Sequence, residues 1–99
     1  MKRFARSTGT PDANQSSIVE SLEKIGCQVW DMEKPVDLLV EFRGLFIPLE
    51  VKTEKGKLTP AQEKFFRKTR GPAFVVRDHV EAVMAVQRAW KKTLKSVVE

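Results

Sequence analysis

Apolar positions along the chain alternate between helical spacing and short continuous runs. Ile18, Leu22 and Ile25 recur at helical spacing behind the turn and cap residues of "TPDANQ". They predict a helix from about Asp12 to Ile25, stopped by Gly26. "CQVW", residues 27 to 30, reads as a short strand. Residues 36 to 42 and 45 to 51 are rich in Val, Leu, Ile and Phe and read as two more strands around Arg43-Gly44. Thr59, Pro60 and Gln62 form an N-cap, first-position proline and capping box, so a second helix starts there and ends near Arg70. "AFVVR", 73 to 77, is a fourth strand. A last helix starts at Asp78 with Glu81 at the capping-box position, and Val80, Val83, Met84, Gln87, Trp90 and Leu94 mark its expected inward stripe. The order α-β-β-β-α-β-α predicts an α/β fold, a small mixed four-stranded sheet flanked by helices.

The hairpin strands carry charges that a buried hairpin should avoid. With Arg43-Gly44 as a two-residue type I′ turn, Phe42 faces Leu45 and Asp37 faces Glu50. Opposed Cβ atoms in such a pair lie about 4.5–5.5 Å apart. Side chains alternate between faces, so Glu50 and Lys52 project to one side and Val51 to the other. Asp37, Glu50 and Lys52 therefore converge at one end of the hairpin. One reading is an acid–lysine ion pair at the rim of the sheet. The other is a divalent cation with oxygen ligands, which relieves the repulsion between two close carboxylates. Such an ion binds a phosphate oxygen and lowers the pKa of water, and Lys52 beside it can position that water or stabilise charge on the phosphate. Two facing acids with a lysine two residues on favour the metal site.

The 99 residues suit one domain, residues 1–99, comprising a basic arm (1–10), the core and a C-terminal helix (79–96). Lysine plus arginine outnumber acids 18 to 13, a net charge of +5 that favours a polyanionic partner, nucleic acid first. The single cysteine, Cys27, excludes an internal disulfide and reads as a small core residue, which fits a reducing cytoplasm. No apolar run approaches the roughly 20 residues that span a bilayer, so no membrane partner is expected.

Asp37 on one strand and Glu50-Val51-Lys52 on the next resemble the motif of the PD-(D/E)XK nuclease superfamily, within the same element order as that superfamily's core. "DANQSSIVESLEKIG", "VDLLVEFRGLFIPLEVK", "KLTPAQEKFF" and "GPAFVVRDHVEAV" together resemble the small stand-alone VRR-NUC proteins, many of them phage-encoded. The similarity covers roughly residues 12 to 86. It implies a Mg²⁺- or Mn²⁺-dependent, structure-selective DNA endonuclease. It also implies likeness to archaeal Holliday-junction resolvases, which act on branched DNA as homodimers, in the bacterial cytoplasm if phage-encoded. The alternatives are a nicking, flap or restriction-type nuclease, and a non-catalytic DNA-binding module.

The resemblance implies metal ligation by Asp37, Glu50 and the Val51 backbone carbonyl, with Lys52 and Gln62 completing the catalytic set. Two departures stand out. Val36 separates Pro35 from Asp37, where relatives have proline directly before the acid. Gln15 stands where resolvase-like relatives carry a metal-binding Glu. At 100° per residue Gln15 falls within about 30° of the inward stripe, whereas Glu20 falls about 170° away and faces solvent. Gln15 can offer a neutral oxygen to the metal, or it completes a capping box with Asp12. Gln62 carries the same two readings with Thr59. His79, the sole histidine, reads as a helix-start residue. Contacts to DNA phosphates fall to Arg3 and Arg6 (with Lys2) on the arm, Lys55 and Lys57 after the Glu-x-Lys motif, and Lys64, Arg67 and Lys68 on the second helix. Lys91, Lys92 and Lys95 read as a solvated face. No base-reading motif is present, which suits recognition of DNA shape.

Overall fold

The structure, a computed structural model, describes residues 12–98. The arm with Lys2, Arg3 and Arg6 lies outside the described residues. Seven elements follow in the expected order: α1 (Asp12–Lys24), β1 (Gln28–Asp31), β2 (Leu38–Phe42), β3 (Leu45–Val51), α2 (Pro60–Lys68), β4 (Phe74–Val76) and α3 (His79–Val98). The sheet runs β1-β2-β3-β4. Its first three strands are antiparallel and β4 is parallel to β3, joined to it through α2.

Local chemistry sets the boundaries. α1 ends one residue before Ile25. Gly26 takes a left-handed φ of 98°, its N–H bonds the Glu23 carbonyl, and the Cys27 N–H bonds the Leu22 carbonyl. This Schellman closure brings buried Cys27 against buried Leu22 and displaces β1 by one residue from the expected 27–30. Burial pushes the Cys27 thiol up to about 11, with the charge of Glu41 adding to it. At the β2–β3 turn both central residues have positive φ, 54° at Arg43 and 89° at Gly44, as a type I′ turn requires. From this position Arg43 holds its guanidinium 5.0 Å from the Phe42 ring centre and 5.8 Å from that of Trp90. The Gly44 N–H donates to Glu41 Oε2 at 2.6 Å. The register pairs Phe42 with Leu45 and Leu38 with Leu49.

Alternation along β2 and β3 sends Leu38, Val40, Phe42, Ile47 and Leu49 to one face, where α1 and α3 pack over them and on each other. The core lies in that layer. α3 corrects the stripe read from the sequence. Val80, Met84, Gln87 and Leu94 are exposed, Val83 and Trp90 are half-buried, and the buried face is Ala82, Ala85, Val86 and Ala89. Small residues let α3 approach α1 and the sheet closely, and the bulkier ones are left outside. The opposite sheet face is far more open. α2 has no buried residue, and Trp30 and Phe46 on that face are 45% and 54% exposed with their rings stacked 6.2 Å apart. Among the described residues no helix is long and apolar enough to cross a membrane.

Candidate active site

β2 and β3 stop pairing where the charged residues begin. The ladder ends at Leu38–Leu49, although the sequence suggests a strand from residue 36. Beyond it Asp37 and Glu50 exchange side chain for backbone: the Asp37 N–H donates to Glu50 Oε1 at 3.2 Å, and the Val51 N–H donates to Asp37 Oδ2 at 2.9 Å. Each carboxylate caps an amide that the splayed strands leave without a ladder partner. Both acids are thereby locked in position.

Glu50 is only 2% exposed. Its Oε2 accepts from Gln62 Nε2 at 2.9 Å and pairs with Lys52 Nζ at 3.1 Å. Burial raises the Glu50 carboxyl above the ordinary carboxylate range and the Asp37 charge raises it further, while the bond from Lys52 acts the other way. Lys52 alone leaves the acid pair short of positive charge. Asp37 is half-buried, and its Oδ1 accepts no hydrogen bond from the described residues. The site thus presents one occupied carboxylate, one half-open carboxylate and a lysine.

Gln62 closes the expected capping box and also reaches Glu50. Its Oε1 accepts from the Thr59 N–H at 3.0 Å while its own N–H donates to Thr59 Oγ1 at 3.2 Å, closing the capping box. Its Nε2 remains directed at Glu50. The cap that starts α2 therefore also aims an amide into the site.

Gln15 is buried at 7% exposure and donates to Asp31 Oδ1 at 3.3 Å. The Asp12 half of the suggested cap lies outside the described side chains. Gln15 Oε1 accepts no hydrogen bond from the described residues, which leaves a buried neutral oxygen on the inward face of α1. Glu20 is exposed, as expected, and His79 is the first residue of α3, where the sequence put it. Asp31, read from the sequence as loop, is the last residue of β1 and pairs with Leu38. The alternation of QVWD was too short to show it.

The donor chemistry fits a hard divalent cation. The carboxylates of Asp37 and Glu50 and the Val51 carbonyl are oxygen donors of the kind such an ion takes, and Mg²⁺ commonly needs only one or two protein carboxylates besides water and substrate phosphate. The described residues hold no cluster of three or more His, Cys, Asp or Glu, so the acidic set is a pair. Of the basic candidates, Lys55 and Lys57 are exposed on the loop after Lys52, and Lys64, Arg67 and Lys68 are exposed on α2. One feature with no signal in composition or periodicity is Arg77. Its Nη1 donates to the carbonyls of Thr53, Glu54 and Gly56.

No family model matches the chain and no curated protein does. Among solved structures, a chain titled "VRR_NUC domain" is similar, with a TM-score of 0.62 and 28% sequence identity over 76% of this chain and 91% of that one. The likeness supports a VRR-NUC domain protein. The mixed four-stranded sheet flanked by helices is consistent with a VRR-NUC nuclease fold, the type expected from Asp37 and Glu50-Val51-Lys52.

Proposed function

We propose that this VRR-NUC domain, residues 1–99, is a divalent-metal-dependent DNA endonuclease that cuts phosphodiester bonds in branched DNA as a homodimer. One observation carries the reading: Asp37 and Glu50, interlocked at the end of the β2–β3 hairpin, with Lys52 3.1 Å from Glu50. Asp37, Glu50 and the Val51 carbonyl would hold Mg²⁺ or Mn²⁺, with the free Gln15 Oε1 a further neutral donor on α1. When bound, the ion supplies polarisation of a phosphate oxygen and a lowered pKa for water. The remaining work falls to the chain itself. Gln62 and the Asp37 N–H fix both Glu50 oxygens so that the carboxylate cannot rotate away. Lys52, held by Glu50, places its ammonium where negative charge grows on the phosphate during attack. Lys55, Lys57, Lys64, Arg67 and Lys68 bind backbone phosphates and position the duplex without reading sequence, with Arg3 and Arg6 of the arm assisting.

Self-association is supported by the stacked Trp30–Phe46 pair, two large aromatics left exposed on the open sheet face. A two-fold dimer presents two sites to the two strands of a four-way junction. The test is incubation with four-way junction, flap, nicked duplex and linear duplex, each with Mg²⁺ and with Mn²⁺. Metal-dependent cutting with the junction preferred is expected. No cutting of any substrate with either ion would overturn the enzyme reading in favour of a binding module.

A further inference from the structure

We infer that Arg77, at the end of β4, is a positioning residue that shapes the loop after β3 so that Lys55 and Lys57 meet the DNA backbone; this rests on the DNA-nuclease reading above. The loop from Thr53 to Leu58 has no regular structure to hold it. It wraps instead around one guanidinium. Arg77 Nη1 donates to the Thr53 carbonyl, to that of Glu54 at 3.3 Å and to that of Gly56 at 3.2 Å. The Gly56 N–H returns to the Thr53 carbonyl at 3.0 Å, closing the turn. The turn is compact: a Cβ on Gly56 would come within 3.2 Å of Thr53 Oγ1 and 3.4 Å of Lys52 Cδ. The loop thus abuts the site lysine, and its two lysines stand on either side of Gly56.

Arg77 is itself anchored from both neighbouring helices. Its N–H donates to Glu81 Oε1 at 2.8 Å in the first turn of α3. Its carbonyl accepts from Asn14 Nδ2 of α1 at 3.1 Å. The guanidinium therefore projects from a fixed backbone into a loop whose other hydrogen bonds, among the described residues, stay within the turn itself. All three carbonyls meet the same nitrogen, whose two N–H groups are thereby committed to the loop, and it is through the loop that Arg77 is taken to act. Fixing the loop beforehand spares the entropy of ordering two lysines at the moment of binding.

Binding of a fluorescent DNA duplex in EDTA, across a salt series, tests this with wild type, Arg77→Ala, Lys55→Ala/Lys57→Ala and the triple variant. Removing both lysines should reduce the slope of log K against log salt by about two. Arg77→Ala alone should weaken binding about fivefold or more. In the background lacking both lysines it should change affinity by less than about twofold, because the lysines are the route of its effect. If Arg77→Ala proves unfolded by circular dichroism, Arg77→Lys in both backgrounds decides. It keeps the charge but is too short to reach all three carbonyls, so it too should weaken binding only while the lysines are present. An equal loss in both backgrounds, or an unchanged affinity in either single variant, overturns the inference. Absence of any salt-dependent DNA binding by the wild type overturns the nuclease reading itself.

Discussion

At the scale of single residues, Glu50 concentrates the chemistry of the site. It is buried, its oxygens are engaged by Asp37, Gln62 and Lys52, and its carboxyl is raised first by burial and then by the Asp37 charge. A raised carboxyl binds its proton more tightly in the folded than in the unfolded chain. The stability this contributes is fully present below the ordinary carboxylate value of about 4.3 and is lost as pH rises through the raised folded value. The metal-free protein should therefore lose stability as pH climbs from about 4, and Glu50→Gln should flatten that profile and melt higher than wild type at neutral pH. Thermal melts in EDTA across this range check it; parallel profiles for the two proteins would show that the buried charge carries no such cost. Gln62 is the neighbouring case, since one side chain serves both α2 and Glu50. Thr59→Ala removes only the cap and should destabilise by about 1 kcal/mol with turnover retained. Gln62→Ala should lower stability similarly and also lower kcat, so kcat measured on the two variants separates the roles.

At the scale of elements, strong local signals were legible and tertiary ones were not. The capping box at Thr59-Pro60-Gln62 and the Arg43-Gly44 turn depend on neighbours in sequence, and the α2 start and the 45–51 strand fall where the sequence puts them. The turn also settles the register, and through it the meeting of Asp37 with Glu50. The start of β2 was misread because the Asp37 and Glu50 side chains cap amides that hydrophobic patterning assigns to the ladder. The inward face of α3 was misread for a different reason. Val80, Met84 and Leu94 are more apolar than Ala82, Ala85 and Ala89, but close packing against α1 and the sheet selects small residues. Val86→Ala should accordingly cost about 1–3 kcal/mol, and Met84→Ala less than about 0.5 kcal/mol, read as shifts in urea midpoint. A larger cost for Met84 would restore the stripe read from the sequence. The Arg77 clamp and the Gln15–Asp31 bond were invisible because each joins side chains of segments whose approach only the folded chain determines.

At the scale of the whole molecule, a domain with net charge +5 covers one sheet face with two helices and leaves the other partly bare. The exposed Trp30–Phe46 pair lies on that open face. Two such subunits repel through their charge, so association through the aromatic pair should strengthen with salt. Sedimentation at micromolar concentration and moderate salt should show a dimer for wild type and a monomer of 11.3 kDa for Trp30→Ala/Phe46→Ala. A wild type that stays monomeric throughout would leave one site per encounter and remove the two-strand mechanism. The central claim, that the interlocked acid pair with Lys52 forms a metal-dependent nuclease site, is tested most directly by single-turnover cleavage of a labelled four-way junction with Mg²⁺. Wild type and Asp37→Asn should be compared at equal DNA occupancy. Cutting by wild type, abolished by EDTA and reduced at least about a thousandfold in a folded, DNA-bound Asp37→Asn, is the predicted result; equal cutting by both proteins would contradict it.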